Sequence, residues 1–231
     1  MTQKKLVAVI AAAGIGKRVG ADIPKQYLML LDKTIIEHSI QPFIEHPEID
    51  QVVVSIAKND RWFTSLNIAK NPKIKLVEGG EERVDSVLAA LKVIADNAYV
   101  LVHDAARPCI TCSDIDKLIN YVRANNTGAI LASKVTDTMK RSHPNGDIKN
   151  TVERTDLWHA LTPQMFENKV LQDAIFSAEM PHLITDEASA IEMSGLSVRL
   201  VEGRSDNLKV TREEDLQIAA LYLSRSLIKE K

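Results

Sequence analysis

Leu6-Val7-Ala8-Val9-Ile10-Ala11-Ala12-Ala13-Gly14-Ile15-Gly16-Lys17-Arg18 is a short apolar, β-branched run that breaks into glycines and then into cations. Such a run fits a strand buried on both faces, the kind a parallel sheet needs, and it is predicted to end near Ala11. Gly14 and Gly16 carry no Cβ to hold an anion away from the backbone N–H groups, and Arg18 and Lys25 supply positive charge just beyond. A phosphate cradle is the expected result. A dinucleotide loop would instead place a third glycine after two intervening residues and open a long helix at once. Val19 stands at that position, Gly20 comes one residue late, and Pro24 limits any helix to a turn or two. The segment reads as a nucleotide loop of another kind, with an ordinary glycine-rich turn as the plain alternative.

Working outward, apolar residues change period in a regular way. Ile35, Ile36, Ile40, Phe43 and Ile44 recur at helical spacing, and Val52-Val53-Val54-Ser55-Ile56 is a buried-strand run. A strand is expected near 74–77, ended by Gly79-Gly80, before a helix whose face is Val84, Val87, Leu88, Leu91 and Ile94. Tyr99-Val100-Leu101-Val102 is a further strand, followed by a helix over 114–123 and the run Ala129-Ile130-Leu131-Ala132. This alternation predicts an α/β fold: a Rossmann-like wound, mostly parallel sheet with helices on both faces and ligands at the carboxyl ends of its strands.

Residues 134–154 break the rhythm. They are polar at nearly every position and turn at His143-Pro144-Asn145-Gly146-Asp147, where Asn-Gly between strand-like flanks signals a hairpin. A hairpin with so little apolar surface is marginal unless it packs on another chain, so it is expected to project as a dimerisation arm. A surface loop is the alternative. The rest of the chain, 1–231, reads as one domain bearing that arm.

The 231 residues are 45% hydrophobic, enough for one large α/β core. A net charge of -2 gives no general polyanion-binding surface, which argues against nucleic acid as a partner. Lys4 and Lys5 before an apolar run resemble the start of a secretory signal, but a glycine-cation loop follows where a polar cleavage region should lie. With two cysteines only, a cytoplasmic setting is expected. No other apolar run approaches the roughly 18 residues of a membrane span, so no membrane association is expected. Cys109 and Cys112 form a lone C-x-x-C, too few ligands for a structural zinc site, and Thr111 to Asp114 reads as the cap of the following helix.

His103-Asp104-Ala105-Ala106-Arg107-Pro108 follows the strand at 99–102 directly. A carboxylate there faces the crevice where the glycine loop opens, so Asp104 can hold a metal or accept substrate hydroxyls, and Arg107 can grip a phosphate through two hydrogen bonds. The competing reading is an Asp104–Arg107 ion pair that fixes the turn. His103 is expected to be a packed residue without a chemical role. Downstream, Thr185-Asp186-Glu187-Ala188-Ser189 opens a helix with carboxylates in its first turn, and Lys209 lies in a strand-like run just before another helix.

Together these motifs resemble one family over nearly the whole chain, the 2-C-methyl-D-erythritol 4-phosphate cytidylyltransferases. The resemblance rests on Ala-Ala-Gly-Ile-Gly-Lys-Arg at 12–18, Pro-Lys-Gln-Tyr at 24–27, Gly-Gly-Glu-Glu-Arg-Val-Asp-Ser-Val at 79–87 and Val-His-Asp-Ala-Ala-Arg-Pro at 102–108. It continues through Asp137-Thr138-Met139-Lys140, Leu-Trp-His-Ala-Leu-Thr-Pro-Gln at 157–164, Thr185 to Ser189 and Asn207-Leu208-Lys209-Val210-Thr211. Ala11 replaces the family's usual proline, and Glu81 stands where a shorter Asp is common.

The resemblance implies a fold like that of nucleotide-diphospho-sugar transferases and cytidylyl transfer from CTP to methylerythritol phosphate, a step of non-mevalonate isoprenoid precursor synthesis. It assigns catalysis to Arg18, Lys25, Arg154 and Lys209, with Arg154 reaching in from a partner's arm. Ala12, Ala13, Gly14, Gly16, Gly80, Glu81 and Ser86 bind the nucleotide, and Asp104, Arg107 and Thr138 complete the acceptor pocket. No protein residue is assigned to a metal; Mg2+ is held mainly by the CTP phosphates. A pentitol-phosphate (ribitol 5-phosphate) cytidylyltransferase shares loop and fold but needs another acceptor pocket, and a non-catalytic nucleotide-binding regulator would not need the cations. An NAD-dependent dehydrogenase fits least, because Glu37 lies on an expected helix instead of a strand end.

Overall fold

The computed structural model describes residues 4–14 and 23–229; Gly16 and Arg18 lie outside that range. In chain order the elements are β1 (Leu6–Ala11), β2 (Met29–Leu30), β3 (Lys33–Thr34), α1 (Ile35–Glu45), β4 (Gln51–Ile56), β5 (Ile74–Glu78), α2 (Arg83–Leu91), β6 (Tyr99–Asp104), α3 (Cys112–Asn125) and β7 (Ala129–Lys134). They continue with β8 (Met139–Ser142), β9 (Ile148–Val152), β10 (Trp158–Glu167), α4 (Asn168–Ser177), α5 (Glu187–Met193), β11 (Arg199–Glu202) and α6 (Glu213–Lys229).

Seven strands form one sheet in the order β11-β7-β10-β6-β1-β4-β5. Six run the same way; β10 alone is antiparallel to its neighbours β6 and β7. Alternate residues of β1 serve two cores. Leu6, Ala8 and Ile10 pack with Ile36, Ile40 and Phe43 of α1 and Ile115, Leu118 and Val122 of α3, whereas Val7 and Val9 pack with Val87 and Leu91 of α2 and Leu171 of α4. The mostly parallel sheet with helices on both faces is thus present as expected. From β1 the chain moves outward through β4 and β5, then returns to place β6 on β1's other side. The crevice above the carboxyl ends of β1 and β6 is therefore a topological switch point, where open α/β sheets place their ligands.

Two parts of the sheet were not foreseen. The run 158–167 contains Pro163, which has no N–H for a ladder and argues against a central strand. β10 accommodates it with a register shift between Ala160 and Gln164. The edge strand β11 has only four residues, too few for a periodic signal. Conversely, the strand-like run Asn207 to Thr211 is not a strand. Val210 N donates to Ala106 O at 2.8 Å, but side chains take neighbouring backbone groups: Arg107 Nη1 donates to Asn207 O at 2.8 Å and Lys25 Nζ to Val210 O at 3.1 Å.

The hairpin is present. β8 and β9 pair antiparallel as a separate two-stranded sheet, Met139 opposite Val152 and Lys140 opposite Thr151, closed by a turn with Gly146 at φ +92°. Its residues are nearly all exposed, Ile148 at 65%.

Candidate active site

The cleft is assembled from strand ends. Ala11 and Asp104 are register partners at the carboxyl ends of β1 and β6, so residues 12–14 and Asp104 lie side by side above the sheet. Ala12, Ala13, Gly14, Lys25, Glu81, Ser86, Asp104 and Lys209 all line the cleft, as do Gln26 and Arg83.

Backbone and side-chain bonds order the residues after β1 and, separately, the turn that leads into α2. Ala12 N donates to Ser55 O at 2.9 Å, and Gln26 Nε2 to Ala12 O at 2.8 Å and Gly14 O at 3.1 Å, tying the residues after β1 together. Gly80 N donates to Ser86 Oγ at 3.2 Å, and that hydroxyl donates in turn toward Glu82 O at 3.1 Å. Glycine at 79 is a requirement of approach: a Cβ there would stand 2.6 Å from Ala13 Cβ and 2.8 Å from Ser86 Oγ. Gly80 does not itself line the cleft but sits beside Glu81 on the same turn.

Asp104 is the electrostatic centre. Its side chain is 9% exposed; Oδ1 accepts from Arg83 Nε at 3.1 Å, and Oδ2 pairs with Lys209 Nζ at 2.9 Å and Arg107 Nε at 3.4 Å. Burial alone would push this carboxyl upward, but Arg83, then Lys209 and Arg107, outweigh it and hold it well below the usual carboxylate range. Arg83 is itself clamped by Glu187, whose oxygens accept from Nη1 at 2.6 Å and Nη2 at 3.1 Å. Burial would lower its pKa; Glu187 and then Asp104 outweigh that and raise it, so it stays a cation.

Arg107 departs from expectation. Its Nη1 donates to Asn207 O at 2.8 Å, Nη2 to Ala160 O at 3.4 Å and Nε to Asp104, and it does not line the cleft. The turn-fixing ion pair is what the geometry displays, and the guanidinium braces three segments instead of presenting a fork to phosphate. His103 is fully buried with a pKa lowered to about 4, mainly by desolvation. The Arg107 carbonyl, 3.2 Å away, can only accept, so Nε2 carries the proton and Nδ1 accepts from Thr162 Oγ1 at 2.9 Å. This matches a packed histidine.

Thr138 and Arg154 are exposed at the base of the arm and do not line this chain's own cleft; Arg154 donates to Thr136 O. Thr111 caps α3 in a capping box with Asp114, as read from the sequence; Cys109 is buried, and the Cys112 thiol donates to Pro42 O at 3.6 Å. Burial pushes the Cys109 thiol up to about 12. Gln26, Arg83 and Glu187 were missed by sequence reasoning. The motif at 79–87 contains Arg83, but only the fold shows that its partner lies at 187.

Among the described residues no three His, Cys, Asp or Glu side chains are grouped to hold a metal. Both Asp104 oxygens already accept from cations, so the donor set suits a divalent ion only where triphosphate oxygens fill most of its shell. No helix among the described residues is long and apolar enough to cross a membrane.

Comparison with known proteins agrees with this geometry. The family model for 2-C-methyl-D-erythritol 4-phosphate cytidylyltransferase matches residues 6–225. Enzymes of that name from Vibrio atlanticus (strain LGP32) and Aeromonas hydrophila subsp. hydrophila are 52% and 55% identical, over 96% and 95% of this chain and 97% and 90% of theirs. Among solved structures, a 4-diphosphocytidyl-2C-methyl-D-erythritol synthase superposes with a TM-score of 0.83 at 34% identity, covering 96% of this chain and 99% of that one. The Francisella tularensis cytidylyltransferase does so with a TM-score of 0.81 at 34% identity, covering 95% and 100%. With the match running from β1 into α6 and taking in every residue that lines the cleft, the chain belongs to the 2-C-methyl-D-erythritol 4-phosphate cytidylyltransferase family.

Proposed function

We propose that this cleft transfers the cytidylyl group of CTP to the phosphate of 2-C-methyl-D-erythritol 4-phosphate, giving 4-diphosphocytidyl-2-C-methyl-D-erythritol and pyrophosphate. The observation that carries the reading is the convergence of Lys25 and Lys209 with the Ala12–Gly14 loop and Asp104 on one cleft. A phosphomonoester oxygen is already nucleophilic at neutral pH, so the reaction needs no base; its obstacle is bringing one anion up to another. The acceptor oxygen bonds to the α-phosphorus of CTP as the bond from that phosphorus to the bridging oxygen breaks, and pyrophosphate carries away the electron pair.

Lys25 faces the α-phosphoryl group and leaving pyrophosphate, and Lys209, held by Asp104, faces the incoming phosphate. Arg18 joins Lys25 on the triphosphate. Ala12, Ala13, Gly14, Gly16, Gly80, Glu81 and Ser86 receive base, ribose and phosphates, while Asp104 orders the polyol side. Mg2+, carried on the triphosphate as part of the nucleotide substrate, neutralises its charge. Arg107 contributes by fixing Asp104.

The chain acts as one cytoplasmic nucleotidyltransferase domain whose arm, 134–154, packs on a second copy. Thr138 and Arg154 serve the partner's acceptor pocket, which agrees with their exposure and with their absence from this chain's cleft lining. Pyrophosphate release, measured with each of the four ribonucleoside triphosphates against methylerythritol phosphate and ribitol phosphate, tests the function. Release is expected with CTP and methylerythritol phosphate; preference for ribitol phosphate, or no release with any pair, contradicts it.

A further inference from the structure

Glu187 has no part in the chemistry above, yet its side chain is only 3% exposed and both oxygens accept from Arg83. Helix capping does not account for it. Asp186 is the N-cap of α5 and accepts from Ser189 N at 2.9 Å, while Ser189 Oγ accepts from Asp186 N at 3.2 Å, so the capping box closes without Glu187. Docking of α5 on β10 is also provided elsewhere: Gln164 Oε1 accepts from Ala188 N at 2.8 Å and its Nε2 donates to Asp186 Oδ2 at 2.9 Å. A buried carboxylate is costly to keep unless paired, and Glu187 is directed at a cation that lines the cleft.

We propose that Glu187 is a positioning residue for the acceptor side of the reaction, acting through Arg83 on Asp104. The fork of Arg83 is fixed by the two Glu187 oxygens, which leaves its Nε aimed at Asp104 Oδ1. With Oδ1 so occupied, Oδ2 is turned to Lys209. Arg83 thereby sets the rotation of the Asp104 carboxylate and, with it, where Lys209 stands. A glutamine at 187 offers one oxygen and no charge, and the guanidinium is freed to pivot. This inference rests on the acceptor role given above to Asp104 and Lys209.

The test is steady-state kinetics with both substrates varied, for the wild type, Glu187→Gln, Arg83→Lys and the double variant. Glu187→Gln is expected to raise KM for methylerythritol phosphate about tenfold, the scale of one lost charge-assisted hydrogen bond, while KM for CTP stays within about twofold. Arg83→Lys keeps the charge but loses the fork, so it should show the same selective defect, and adding Glu187→Gln to it should cost nothing more. Should Glu187→Gln fail to fold, Arg83→Lys, with its side chain 30% exposed, carries the same test. Unaltered acceptor KM in Arg83→Lys, or an equal rise in both KM values, overturns the inference. A wild type inert with CTP and methylerythritol phosphate overturns the reading of the cleft and the inference together; an active wild type with unaltered variants overturns the inference alone.

Discussion

Lys25 links the two cationic segments of the cleft, since its Nζ donates to the carbonyl of Val210, next to Lys209. A cation aimed at charge that develops only in the transition state acts mainly on turnover. Lys25→Ala should therefore lower kcat by about 2.7 to 4 kcal/mol of transition-state stabilisation, with KM for CTP little changed. Rapid-quench turnover on a folded variant checks it. His103 makes a prediction of the opposite kind, about stability alone. Its folded pKa of about 4 lies below the ordinary value of 6.5, so the unfolded chain binds the extra proton first as pH falls. Stability from this group is intact above about pH 6.5 and lost as pH falls toward 4, by on the order of 3 kcal/mol. Urea midpoints across that range should fall less steeply in His103→Gln than in the wild type. The residues legible in the sequence were those whose chemistry is local: Lys25 beside a glycine loop, Asp104 at a strand end. Arg83 and Gln26 were not, because what defines them is a partner reached only through the fold, Glu187 for Arg83 and the Ala12 carbonyl for Gln26.

Among elements, Gly79 lies where the turn before α2 passes close to both Ala13 after β1 and Ser86 of α2. Gly79→Ala must push Ala13 and Ser86 apart, so it should destabilise by about 1 to 3 kcal/mol, the range for an overpacked site, and weaken CTP binding as well. Chemical denaturation and a CTP titration measure the two effects separately. The arm makes a prediction about sharing. If Arg154 of one chain completes the acceptor pocket of the other, a dimer of one Arg154→Ala chain and one Lys25→Ala chain holds one doubly defective site and one intact site. Mixing the two weak variants, after tagged chains have shown subunit exchange, should restore activity to about one site per heterodimer. Heterodimers as inactive as their parents would place Arg154's action within its own chain. Elements with a clear period were legible: β1, β4 and β6 as apolar runs, α1 and α3 by their faces, and the hairpin by Asn145-Gly146. β10 was hidden by Pro163 and its bulge, and Asn207 to Thr211 looked like a strand because its apolar residues are buried by tertiary packing while side chains from elsewhere take its backbone groups.

At the scale of the molecule, the order of the sheet decides where chemistry occurs. The chain reverses its direction of travel between β5 and β6, and the crevice this leaves above β1 and β6 receives residues 12–14, the α2 turn and the segment before α6. With a net charge of -2, positive potential is a local property of this crevice, set by Lys25 and Lys209 around a carboxylate already neutralised by arginines. Such an arrangement brings two phosphate groups together without a proton-transfer step, and the central claim is that the acceptor's own phosphate oxygen attacks the α-phosphorus of CTP. Isotope tracing tests it most directly. With methylerythritol phosphate labelled with oxygen-18 throughout its phosphate group, mass spectrometry of the products should find all of the label in the CDP-linked alcohol and none in pyrophosphate. Label in pyrophosphate, or its loss from the CDP-linked alcohol, would contradict attack by the acceptor phosphate.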